Sequence, residues 1–143
     1  HPAMTVVATN DRMRVPDLDR DLAFHHMDRD EIDAGGAANR FAAQIEETKN
    51  SNPVALLGAL YVLEGSTNGG RFLARARRQS WGLDGDGLAY FDPYGDVQPQ
   101  RWAAFKRDMD GASFAADQEK AIIEMAKATF RAIAEVSDEV SRG

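Results

Sequence analysis

No cysteine occurs among the 143 residues, which excludes disulfides, thiolate ligation, iron–sulfur clusters and Cys-based nucleophilic catalysis. A positive surplus is missing as well: 17 Lys and Arg stand against 23 Asp and Glu, giving a net charge of −6. Sequence-independent binding of nucleic acid needs the opposite balance, because it works by replacing counterions on phosphate. No apolar run is long enough to span a bilayer and no basic-then-apolar leader is visible, so no membrane association is expected and the cytoplasm is the default location. Alternation of apolar and polar residues is also absent, as is an Asn-Gly turn between strand-like runs. An all-α chain is therefore expected.

What is present fits one domain with a real core, since 43% of residues are hydrophobic. The domain is expected over residues 4–143. His1-Pro2-Ala3 ahead of Met4 reads as a vector-derived extension, and residues 4–15 as a mobile lead-in. Pro16 suits a first helical turn, and a short amphipathic helix is expected from there to about Asp30. A second helix is expected over 34–49, where Ala38, Phe41, Ala42 and Ile45 recur at helical spacing. Asn52-Pro53 signals a third start, with Asn52 as an N-cap side chain and Pro53 in the first turn. Val54, Leu56, Leu57, Leu60, Tyr61, Val62 and Leu63 make that helix apolar almost all round, hence central. Residues 80–97 read as a structured loop with a tight turn at Asp92-Pro93-Tyr94-Gly95. A helix after Pro99 is expected to turn Trp102, Phe105 and Met109 inward. The final helix, from Ser113 or Ala116 to about Ser141, is expected to bury a stripe of Ile122, Ile123, Ala126, Phe130 and Ile133.

The central helix carries an anomaly, three glycines within Gly65-Ser66-Thr67-Asn68-Gly69-Gly70. Each interior glycine costs about 1 kcal/mol relative to alanine. Two reasons for tolerating them remain open at this point: a tight helix crossing or kink, or close approach of a flat ligand to the backbone.

The string Leu57-Gly58-Ala59-Leu60-Tyr61-Val62-Leu63-Glu64-Gly65-Ser66-Thr67-Asn68-Gly69-Gly70 resembles the distal-helix signature of bacterial heme oxygenases. The likeness continues through Gly87-Leu88-Ala89-Tyr90-Phe91-Asp92-Pro93-Tyr94-Gly95, Arg101-Trp102-Ala103-Ala104-Phe105-Lys106 and Ala126-Lys127-Ala128-Thr129-Phe130, and includes Asp21-Leu22-Ala23-Phe24. It spans about residues 17–140. The resemblance implies a heme-oxygenase-like multi-helical bundle that is N-terminally truncated, matching the family's C-terminal two thirds. It implies heme as substrate, oxidised to biliverdin, carbon monoxide and iron, with dioxygen and electrons from ferredoxin or a reductase. Gly65, Ser66, Gly69 and Gly70 would then border the oxygen-binding face of heme, with Ser66, Gly69 and Gly70 steering the chemistry. Tyr61 and Lys106 would contact the propionates and Phe130 would line the pocket. Without the resemblance, Tyr61 and Phe130 read as core residues and Lys106 as a solvated charge.

The family's first two helices, which carry the histidine that ligates iron, have no counterpart in this sequence. His25 and His26 are the remaining candidates for an axial ligand, a role open to neutral imidazole, or else they mark an exposed helix end. Loss of two helices would uncover apolar faces around Leu56, Leu60 and Leu63, and a homodimer is expected to cover them. Arg71, Arg75 and Arg78, with Arg77 beside them, form a basic stripe suited to an acidic electron donor or to propionates, or else a solvated face. A di-iron carboxylate centre is disfavoured, since no glutamate has a histidine three residues on. A thiaminase-like hydrolase would need a cysteine, and no Gly-x-Ser-x-Gly context supports a Ser-His-acid triad. Besides heme cleavage, two alternatives stand: a heme- or tetrapyrrole-binding protein that has lost the ligand helix, and a fold remnant acting through protein contacts alone.

Overall fold

The computed structural model describes all residues, 1–143, and contains six α-helices and no strand. In chain order these are α1 (Pro2–Val7), α2 (Val15–Phe24), α3 (Gly35–Ser51), α4 (Leu56–Trp81), α5 (Gln98–Asp110) and α6 (Ala116–Arg142). Short 3-10 turns join several of them, including Pro53–Ala55 before α4 and Gly95–Val97 before α5. No helix is long and apolar enough to cross a membrane.

The central helix forms where its apolar run and proline start place it, and it continues through the glycine cluster without a break. Pro53 occupies the first position of the 3-10 turn, where its missing N–H leaves no bond unmade. The side chain of Asn52 makes no cap hydrogen bond, contrary to the N-cap expectation. The helix is already wound by the 3-10 turn at Pro53–Ala55, so α4 opens on Ala55, which has helical dihedrals. At the far end Gly82 is left-handed (φ 65°) and its N–H bonds back to the Arg78 carbonyl, the usual use of glycine to end a helix.

Packing centres on Phe105 and Leu57, both fully buried, joined by Ala3, Val7, Val54 and Ile122. Burying a side chain of this size contributes about 1.5–3 kcal/mol. Ala55, Ala59 and Met125 form a second cluster with Phe41 and Ile45 of α3. Between the clusters, α4 and α6 touch backbone to backbone at Gly58. A Cβ there would overlap the carbonyl oxygen of Ile122 and lie 2.8 Å from the amide nitrogen of Ala126.

That contact sets the rotation of α6 and corrects its expected stripe. Ile122, Met125, Thr129 and Ala132 turn inward, while Ile123, Phe130 and Ile133 are exposed. On α5 the expectation is met: Phe105 is buried, and Trp102 and Met109 pack against the same cluster. Where the sequence offers no packed element before residue 16, the structure has α1 and a 3-10 turn at Asn10–Arg12. Val7 is buried there, and Arg12 bonds the Val7 carbonyl (2.7 Å) and Asp108 of α5 (2.6 Å).

The loop after α4 is held by the end of α2. The buried Asp21 carboxylate accepts the N–H groups of Ala89 (2.7 Å) and Tyr90 (2.8 Å). The expected turn at residues 92–95 is closed by Asp92 Oδ1, which accepts the Gly95 N–H at 3.1 Å.

Candidate functional site

The three clustered glycines of α4 do three different things. Gly65 lies under the Trp102 indole, where an added Cβ would stand 3.2 Å from the ring edge. Gly70 meets the loop, and a Cβ there would overlap the Phe91 carbonyl oxygen. At Gly69 a Cβ would meet nothing within 4 Å. Two of the three glycines therefore serve internal close packing, and one leaves bare backbone on an open face. Ser66, next to it on that side, is exposed, and its hydroxyl donates to the Leu63 carbonyl (2.6 Å). Thr67 and Asn68 likewise bond back three residues, to Glu64 (2.6 Å) and Gly65 (2.9 Å), so polar side chains inside the helix spend their donors on its own carbonyls.

Tyr61, Gly65 and Lys106 converge on Trp102. The Tyr61 and Trp102 ring centroids are 5.4 Å apart, Trp102 stacks on Phe105 at 5.5 Å, and the Lys106 ammonium lies 5.6 Å over the indole. Tyr61 is half-exposed rather than core, and Lys106 rests on an aromatic face rather than in open water. Phe130 is 61% exposed on α6 and pairs with no other ring. Just after the glycines on α4, Phe72 is 68% exposed and Leu73 about half-exposed, and on α6 Ile133 is partly uncovered as well. Large apolar side chains in water of this kind mark a face that expects company. Of the faces expected to be bare, Leu56 and Leu60 are instead packed into the two core clusters, and only Leu63 remains exposed.

The histidines do not join this group. His25 Nε2 is 2.9 Å from the Gly87 carbonyl oxygen, with Trp81 edge-on at 6.5 Å. Gly87 (φ 93°) permits that approach, since a Cβ there would be 2.6 Å from Phe24. His26 is exposed with φ 56°. Trp81 follows Gly70 by eleven residues, about 16 Å along a helix rising 1.5 Å per residue, so His25 sits well away from Gly69. No group of three or more His, Asp or Glu side chains is arranged to hold a metal ion.

Behind the open face lies a polar clasp that sequence reasoning missed. Glu64, only 2% exposed, accepts a hydrogen bond from the Tyr94 hydroxyl at 2.6 Å. The guanidinium groups of Arg14 and Arg101 lie over the Tyr94 ring, each 4.8 Å from its centroid. They are anchored by Asp17 and Asp11 respectively. Burial and the neighbouring Glu64 carboxylate push the Tyr94 hydroxyl up to about 12. One signal for Glu64 was available: it is the sole charged residue between Lys49 and Arg71. A lone acid within an apolar run calls for a buried partner.

The basic stripe is built into the fold rather than solvated throughout. Arg71 pairs with Asp96 (2.7 Å), Arg78 with Asp92 (2.8 Å), and Arg77 lies over Trp81.

Among known families, the model of the heme oxygenase family matches residues 1–139. No curated protein sequence matches the chain.

Proposed function

The chain belongs to the heme oxygenase family, and from that premise we propose that it binds heme against the open flank of α4 and cleaves it to biliverdin, carbon monoxide and iron. The observation that carries this reading is the bare backbone at Gly69, beside exposed Ser66 and flanked by Phe72. A flat apolar ligand gains most where no Cβ holds it off and where aromatic surface is otherwise left in water. Phe130 contributes a further exposed ring on α6.

Heme brings the iron and is itself consumed; dioxygen and an electron donor such as ferredoxin or a reductase are cosubstrates. The chain's own residues bind, orient and shield. Lys106 offers its ammonium to the propionates, and Tyr61, packed on the same Trp102 ring, offers its hydroxyl. Ser66 keeps its oxygen lone pairs available to an ordered water while its proton is held by Leu63. Gly65 and Gly70 act indirectly, by letting Trp102 and Phe91 close on α4 and so fix its position.

Full-length protein titrated with hemin should show a saturating Soret shift, and added ascorbate, or ferredoxin with its reductase, should raise biliverdin absorbance. A second reading, heme or tetrapyrrole binding without cleavage, is favoured by His25, whose Nε2 is engaged by Gly87 far from Gly69. A Soret shift with no biliverdin selects that reading. His25→Ala combined with His26→Ala tests ligation, and an unchanged Soret band removes both histidines from the site.

The exposed Phe72, Leu73, Phe130 and Ile133 also suit a two-fold homodimer in the absence of heme. A stable monomer in size-exclusion chromatography with light scattering rules that out.

A further inference from the structure

Four arginines fall between residues 71 and 78 with no acid among them, in a chain whose net charge is −6. Three of them, Arg71, Arg75 and Arg78, line a cleft of about 210 Å³ with Gln79, Asp92, Gly95 and Asp96, and no apolar side chain contributes to its wall. The cleft is held in shape. Arg78 bonds the Gly85 carbonyl (3.2 Å) as well as Asp92 (2.8 Å), and Asp92 in turn fixes the Gly95 turn. The side chains of Arg71 and Arg78 are each only 23% exposed, and Arg78, with two partners, is the fixed one. Arg75, between them, makes no ion pair and leaves one cation uncompensated. Residues in an α-helix turn by about 100° each, so Arg71 and Arg78 lie roughly 160° and 180° round the axis from Gly69. The cleft is thus separate from the open heme-facing flank.

Three arginines around a small cleft with no hydrophobic residue in its wall suit a compact polyanion, since each guanidinium offers a planar fork of donors to oxyanion oxygens. The volume holds one tetrahedral oxyanion with water and is too small for a helix or strand. Two carboxylates share the wall with the three arginines: Asp92 stays with Arg78 and the Gly95 turn, whereas the Asp96 side chain is 94% exposed, so its pairing with Arg71 is exchanged for a stronger acceptor at little loss.

We propose that the Arg71–Arg75–Arg78 cleft binds a phosphate group, free or carried on a small organic molecule. Calorimetric titration of the full chain with inorganic phosphate and with glycerol phosphate, against sodium chloride at matched ionic strength, tests it. Saturable binding of at least one is expected, weakened about tenfold by Arg75→Gln, which breaks no ion pair in the fold. Asp96→Asn removes the competing carboxylate and should tighten binding severalfold. Arg131→Gln, which removes an exposed cation from α6, should change nothing. Tighter binding of glycerol phosphate assigns the site to a phosphorylated metabolite, and equal binding assigns it to the free ion. Heat no greater than that from chloride, or equal weakening by Arg131→Gln and Arg75→Gln, overturns the proposal.

Discussion

The two sides of α4 are built by opposite means. On one side the polar groups are answered: Glu64 by Tyr94, and the Tyr94 ring by Arg14 and Arg101. On the other, Gly69 faces open space beside exposed Ser66, Phe72 and Leu73. The packed side fixes the helix; the open side is where the proposed heme site lies. Glycines of α4 stand both in packed contacts, at Gly58, Gly65 and Gly70, and in the open, at Gly69, so residue type alone does not distinguish a packing glycine from a binding one. Only what stands opposite does.

Substitution should separate the packed glycines from the open one most sharply. Gly58→Leu drives a side chain into the Ile122 carbonyl, where the obstacle is backbone and cannot rotate away. It should lower stability in urea denaturation by about 3 kcal/mol or more, at the upper end of overpacking effects. Gly70→Ala, against the Phe91 carbonyl, should cost about 1–3 kcal/mol for the same reason. A Gly70→Ala protein as stable as the parent would show that the loop yields freely and that the packed side is softer than described.

The clasp comes next in size. Tyr94→Phe leaves the buried Glu64 carboxylate without its donor and should cost about 1–3 kcal/mol. Its pH signature has a definite sign. Tyr94 titrates at about 12 in the folded chain against an ordinary value of 10.0, so its contribution is complete below pH 10 and fades as pH rises from about 10 to 12. Urea midpoints measured over that range should fall in the parent and fall less in Tyr94→Phe; parallel curves would place the ionisation elsewhere. The smallest effect belongs to Gly69→Ala. With nothing opposite, the added methyl should raise stability by about 0.5–1 kcal/mol through helix propensity alone.

Much of the fold was legible in the sequence because its signals are local. Pro53 and the apolar run after it mark the start of α4, and the helix periods of residues 34–49 and 116–141 locate α3 and α6 to within a turn. What was not legible depends on distant partners. Rotation of α6 follows from Gly58, more than sixty residues earlier, so the apolar stripe read from period alone was turned toward Phe130 and Ile133. The short α1 was invisible because six residues carry too little period to read, and its burial depends on α5. The glycine cluster itself was conspicuous, yet its division was not. Trp102 and Phe91, which occupy Gly65 and Gly70, come from other parts of the chain. His25 was conspicuous by chemistry, but its Gly87 partner lies 62 residues away.

The central claim is that the bare backbone at Gly69 receives heme, and a paired hemin titration of the parent chain and Gly69→Leu addresses it directly. The account predicts a saturating Soret shift in the parent and at least a tenfold loss of affinity in the variant, whose circular dichroism stays unchanged because a Cβ at this exposed position meets nothing within 4 Å. Equal Soret titrations of the two proteins, or no uptake by the parent, would contradict it.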